Sequence, residues 1–133
     1  MKSLQLSAWA LLAAALGASW ASHADVYLIA NPDMKLSADE AKEVFLGEKQ
    51  LAGSVKIVPV DNAGAQAEFL DKVFKMDAAK YKLLWAKKGF RDGLNAPAMK
   101  SSDVEVLGVV KSTPGALGYV TSAPSGVTVI QKY

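Results

Sequence analysis

The chain has 133 residues, with 15 Lys and Arg against 13 Asp and Glu, a formal net charge of +2, one histidine and no cysteine. The lack of cysteine excludes disulfides, thiol nucleophiles and thiolate metal sites. The near balance of charge leaves no footprint for a nucleic-acid partner.

Met1-Lys2 leads into Leu11-Leu12-Ala13-Ala14-Ala15-Leu16, and the apolar run ends at Ser22-His23-Ala24, with small residues where a signal peptidase reads. This pattern predicts a cleaved secretory signal peptide over residues 1–24. The run is interrupted by Lys2, Ser3, Gln5, Ser7 and Ser19, and it is shorter than the roughly 20 apolar residues of a membrane-spanning helix. No cysteine follows it, so a lipid-anchored form has no support. Cleavage would remove His23, Trp9, Trp20 and Lys2, leaving residues 25–133 as one domain with Trp85 as its sole tryptophan and 14 basic residues facing 13 acidic ones. Without His or Cys, that domain has no imidazole-based triad and no Cys or His metal site. No catalytic residue, metal or cofactor is expected, and the reading is not an enzyme.

Val26-Tyr27-Leu28-Ile29-Ala30, closed by Asn31-Pro32-Asp33, predicts a buried strand and a turn. Ser37 and Glu40 have capping-box spacing, Ala38, Ala41, Val44 and Phe45 share one helical face, and Gly47 supplies a left-handed stop. Asp39 and Glu43 fall on the solvent side. Val55 to Val60 predicts a second strand, parallel to the first through a right-handed crossover, with Pro59 marking an edge or a strand end.

Asp61-Asn62-Ala63-Gly64 opens a second helix carrying Phe69, Leu70, Val73 and Phe74 inward, with Asp61 or Asn62 as its N-cap. Asp77 caps a third helix that turns Ala78, Tyr81, Leu84 and Trp85 to the core and ends at Gly89. Lys80, Lys82, Lys87 and Lys88 give this helix the only local basic excess; it reads as a solvated face, the alternative being a surface for an anionic partner. Arg91 to Pro97 is a loop by composition. Ser102 and Glu105 repeat the capping-box spacing before Val106, Leu107 and Val110, and Ala116–Val120 and Val127–Ile130 are the last strands. The order is that of one α/β unit.

Thr113-Pro114-Gly115-Ala116-Leu117-Gly118-Tyr119, taken with the helix from Leu36-Ser37 to Leu46-Gly47, the strand into Pro59-Val60-Asp61, the Phe69 helix, Tyr81 to Trp85 and Gly89-Phe90 to Pro97, resembles phosphate-type substrate-binding proteins of ABC transporters, in particular their short single-lobe forms. The likeness covers nearly all of residues 25–133. It implies an α/β fold that is a single lobe of the type II periplasmic binding protein-like kind, with a mostly parallel sheet flanked by helices. It also implies periplasmic localisation and binding of phosphate or another small oxyanion in support of transport.

In that family an arginine and a Ser-Gly-Thr at a helix start hold the phosphate oxygens, by the affinity of helix N-termini and guanidinium groups for anions. Here the matching positions are Ala63-Gly64-Ala65, and the arginine position falls near Pro59 or Val60. The expected ligand site is therefore Asn62, Ala63, Gly64, Ala65 and Gln66 with Thr113, offering backbone amides and neutral donors. The competing expectation is a protein-interaction or sensing module that has lost its ligand and docks on a membrane transporter, a sensor or a second copy of itself.

Overall fold

The computed structural model describes residues 25–133; the signal-peptide reading falls on residues 1–24 and lies outside them. The first strand, β1 (Tyr27–Ala30), leads into α1 (Ala38–Phe45). Both halves of the Ser37 capping box form: Glu40 N donates to Ser37 Oγ and Ser37 N to Glu40 Oε1, each at 3.1 Å. Gly47, at φ +74°, ends the helix in the left-handed conformation.

The predicted strand from Val55 to Val60 is broken in two. Val55–Lys56 (β3) folds back antiparallel on Leu51–Ala52 (β2) through a turn at Gly53, φ +61°. The main-sheet strand β4 is Val58–Asn62. It continues into α2 (Gln66–Phe74), α3 (Ala78–Asp92), β5 (Ala98–Lys100), α4 (Asp103–Ser112), β6 (Ala116–Val120) and β7 (Thr128–Lys132).

The main sheet has the order β5-β4-β6-β1-β7. β4 runs parallel to β5 and β6, whereas β1 runs antiparallel to β6 and β7. The sheet is thus mixed rather than mostly parallel, and the first two predicted strands are neither neighbours nor parallel. β1 is apolar on both faces, which suits an interior position, and the long connection through α1 and the β2–β3 hairpin lets the chain pass over the place that β6 takes.

Pro59 therefore sits in an interior strand. Val58 N donates toward β6, to Gly115 O at 2.8 Å. The missing Pro59 donor faces the β5 side, where pairing begins only at Val60, so no ladder bond is lost.

Residues alternate between two cores. On one face Leu28, Ala30, Leu117 and Tyr119 pack with α1, α2 and α3 through Phe45, Phe69, Leu70, Tyr81 and Trp85. On the other, Ile29, Val60, Ala116 and Val120 pack with Val106 and Val110 of α4. Tyr119 stacks on Phe69 at 3.8 Å between ring centroids, with Phe45 edge-on to both, a favourable aromatic cluster. Trp85 joins it by donating Nε1–H to the Phe45 carbonyl at 3.1 Å, at the end of α1. The described residues, 25–133, thus carry a five-stranded sheet with a packed core on each face.

Two helix boundaries differ from expectation. Asp77 caps α3 as predicted, accepting from Lys80 N at 2.8 Å, but the helix runs past Gly89 to Asp92, and Gly93 at φ +69° is its stop. At α4, Ser102 holds the cap position without a side-chain bond; Ser101 engages Glu105 instead, Oγ to Oε2 at 2.6 Å.

The far end of α4 is closed by a residue from another element. Buried Asn31, just after β1, donates Nδ2 to the carbonyls of Val110 at 3.0 Å and Thr113 at 3.1 Å, while its Oδ1 accepts from Asp33 N at 3.1 Å. The Val110 carbonyl is one that a helix end leaves unpaired, whereas the Thr113 carbonyl also accepts from Ala116 N at 3.1 Å. Asn31→Ala should cost about 2–3 kcal/mol in urea unfolding, because the buried Val110 carbonyl is stranded and the bonds to Thr113 O and from Asp33 N are lost. Asn31→Asp should fare no better, since a carboxylate cannot donate to those carbonyls.

Candidate functional site

β4 is where the chain reverses its direction of winding. From β4 it passes through α2 and α3 to β5 on one side, then returns through α4 across β4 to β6 on the other, the two connections covering opposite faces. In open α/β sheets the crevice beyond the carboxyl ends of the strands at such a reversal is the usual ligand site. The expected segment lies there. Asn62 ends β4, Ala63 and Gly64 form the exposed turn, Ala65 is the buried cap of α2, and Gln66 is its first residue.

Most of the polar groups in this turn are already engaged. Asn62 is fully buried; its Nδ2 donates to Asp103 Oδ1 at 2.8 Å and Tyr119 O at 3.0 Å, and its Oδ1 accepts from Gly64 N at 3.0 Å. Ala63 N donates to Lys100 O at 2.8 Å and Ala65 N to Asn62 O at 3.0 Å. The first helical bond of α2 is Phe69 N to Ala65 O, so the amides of Gln66, Ala67 and Glu68 are those of an open first turn. Neither Asp61 nor Asn62 is the N-cap; that place falls to Ala65, which has no side chain able to cap.

Thr113 does not join the group. It follows α4 at the opposite end of the sheet, where its carbonyl accepts from Asn31 and from Ala116 N.

Asp103, at the start of α4, fills the middle of the crevice. Besides Asn62, its carboxylate accepts from Thr121 N at 3.0 Å, Thr121 Oγ1 at 2.9 Å and Ser122 N at 3.1 Å. Burial pushes its pKa up, but the bonds from Asn62, Thr121 and Ser122 outweigh burial and hold it below the ordinary carboxylate value.

Beside this turn lies a cleft of about 480 Å³ between α3, the start of α2 and β5, lined among others by Asp61, Gln66, Tyr81, Lys82, Trp85 and Met99. Asp61 forms its floor and is only 2% exposed. Tyr119 donates to Asp61 Oδ1 at 2.8 Å and Tyr81 to Asp61 Oδ2 at 3.0 Å. Burial raises the Asp61 pKa to about 6, the two tyrosine hydroxyls offsetting part of the effect. Burial, followed by the Asp61 charge, pushes both tyrosines above their usual value, so they remain donors.

The sequence places Tyr81 in the core and Tyr119 in a strand, and both rings are buried; the carboxyl that joins their hydroxyls is not among the expectations. The available signal was a charged residue placed directly after the apolar run Val58-Pro59-Val60. Such a residue is either a solvent-facing cap or a buried group with partners.

Among the described residues no group of three or more His, Cys, Asp or Glu is placed to hold a metal ion, and no helix is long and apolar enough to cross a membrane. No protein-family model matches the chain, and a search of curated proteins found no match. The site is therefore read from its own chemistry. It offers an open helix start, an amide side chain and an ammonium group around an apolar-walled cleft with one protonatable carboxyl at its floor.

Proposed function

We propose that the protein is a secreted, periplasmic, non-catalytic solute-binding domain of the phosphate-type kind, a single lobe of a type II periplasmic binding protein-like fold that takes up a small oxyanion. The observation that carries the reading is the cleft at the reversal of winding, where the first turn of α2, with Gln66, and Lys82 border one concavity. A helix start and an ammonium group both favour an anion. Asp61 sets the condition for binding: ionised, it repels an oxyanion in the cleft, whereas protonated, it removes that repulsion.

Calorimetric titration of phosphate and sulfate, with chloride as control, into residues 25–133 tests this. Saturable binding should tighten as the pH falls through about 6 and weaken in Lys82→Glu. Ligand at 100 times its Kd should stabilise the fold by about 2.7 kcal/mol. Absence of both heat and thermal shift at millimolar anion at pH 5 would overturn the reading. A second reading, a docking lobe without a solute, is favoured by one specific observation, the exposed side chains of Leu83 and Phe90 on α3.

A further inference from the structure

α3 has apolar residues on two sides. Tyr81 and Trp85 enter the core, while Leu83 is 55% exposed and Phe90 97% exposed. Ala79, Leu83, Ala86 and Phe90 follow one another at intervals of four, three and four residues, so they form a single stripe along the outward side of the helix. Isolated exposed apolar residues are ordinary; a stripe in helical register with two protruding large side chains is not. Met99 of β5, 51% exposed, borders the same cleft as Ala86 and extends the apolar surface.

The stripe is flanked by cations. Lys80 and Lys87 lie along one side and Lys82 along the other, as follows from about 100° of rotation per residue. Among the described residues none of Lys80, Lys82, Lys87 and Lys88 forms an ion pair; Arg91 bonds only its neighbour Asp92, at 3.3 Å. Asp92 is the only acidic residue in Ala78–Asp92. An apolar ridge between unpaired lysines is the pattern of a helix lying in a membrane interface.

We propose that the outward face of α3 docks on an anionic lipid bilayer, with Leu83 and Phe90 entering the boundary of the acyl region and the flanking lysines reaching the phosphate headgroups. Charge and shape select this occupant. A second copy meeting the same stripe would bring the two sets of lysines together. A protein partner would have to supply a surface matched to both Leu83 and Phe90, whereas a bilayer surface needs only negative charge and an apolar interior. Lysine stems can lie along the apolar stripe while their ammonium groups stay at headgroup level. The helix would lie in the plane of the surface. The proposal shares Lys82, Ala86 and Met99 with the rim of the cleft, but Leu83, Phe90, Lys80 and Lys87 do not line it, so variants at those four positions separate this proposal from the oxyanion reading.

The test is co-sedimentation of residues 25–133 with vesicles of phosphatidylcholine alone and of phosphatidylcholine mixed with phosphatidylglycerol. Binding should require phosphatidylglycerol and fall with added salt. The double variant Leu83→Ser, Phe90→Ser should lower the partition constant at least about tenfold with its thermal midpoint unchanged, since both side chains face solvent. Lys80→Glu with Lys87→Glu should abolish binding while leaving the phosphate titration as it was. Three results would overturn the proposal: no binding to phosphatidylglycerol vesicles, binding unchanged by the double serine variant, or saturable docking on an acidic protein without vesicle binding.

Discussion

Asp61→Asn should change the pH dependence of stability, the difference between variant and parent shifting by about 3 kcal/mol in favour of the variant between pH 4 and pH 8. The folded state holds the Asp61 proton with a pKa of about 6, whereas the unfolded chain releases it near the ordinary aspartate value of about 3.9. A raised carboxyl pKa stabilises the fold fully below about pH 4, and that contribution is lost as the pH rises through 6. At about 1.4 kcal/mol per unit, the two-unit displacement gives the quoted size. Asparagine keeps the shape and carries no proton to lose.

Denaturant unfolding of both proteins across this range isolates the one group, because carboxyls held low by hydrogen bonds, such as Asp103, act with opposite sign equally in both. Parallel curves would show that Asp61 does not titrate near 6. Asp61→Ala should follow the same pH trend as the asparagine variant but lie lower, because it strands the Tyr81 and Tyr119 hydroxyls without an acceptor, at a cost of about 2–4 kcal/mol relative to Asp61→Asn.

Gly115→Ala should be the most damaging single methyl in the domain, lowering stability by at least about 3 kcal/mol. Gly115 has φ +80°, and a Cβ there would collide with the Lys56 carbonyl oxygen and press on Val55 Cγ1. The crowding arises because the junction of β3 and β4 lies over the entry to β6, with Val58 N bonded to the Gly115 carbonyl. Gly53→Ala is the matched control: it has φ +61° but nothing within 4 Å of the added carbon, so only the backbone cost of about 1 kcal/mol remains. Thermal midpoints of the two variants should differ by roughly 8–16 °C, at about 4–8 °C per kcal/mol for a domain of this size. Equal midpoints would mean that the chain yields at Lys56.

What the sequence made legible is what neighbouring residues decide. Ser37 with Glu40 formed its capping box, Asp77 capped its helix, and Tyr81 and Trp85 took core positions. Pairing between distant strands was not legible. Leu28 and Ile29 suit a buried strand of either orientation, and only the arrival of β6 and β7 on the two sides makes β1 antiparallel.

The hairpin at Gly53-Ser54 was hidden because Val55 and Lys56 continue smoothly into an apolar run, and β5, with Ala98-Met99-Lys100, has too few residues to show a period. The turn from Asn62 to Gln66 lies between the end of β4 and the start of α2, as the order of residues implies. Its donors were miscounted, because the groups that engage Asn62 and fill the crevice, Asp103 and the backbone of Tyr119, come from elements roughly forty and sixty residues away. Asp61 read as a cap because the tyrosines that engage it lie in two other elements.

The place of β1 between β6 and β7 also bears on how the molecule is made. The oldest strand has to wait for the two newest ones. Val26, Leu28, Ile29 and Ala30, all buried at the end, are synthesised long before Ala116 is added, an interval of roughly 4–17 s at about 5–20 residues per second. Until then the parallel half, β5-β4-β6, can assemble only in part, and β1 has no strand to join. The sheet is finished by inserting its beginning into its end.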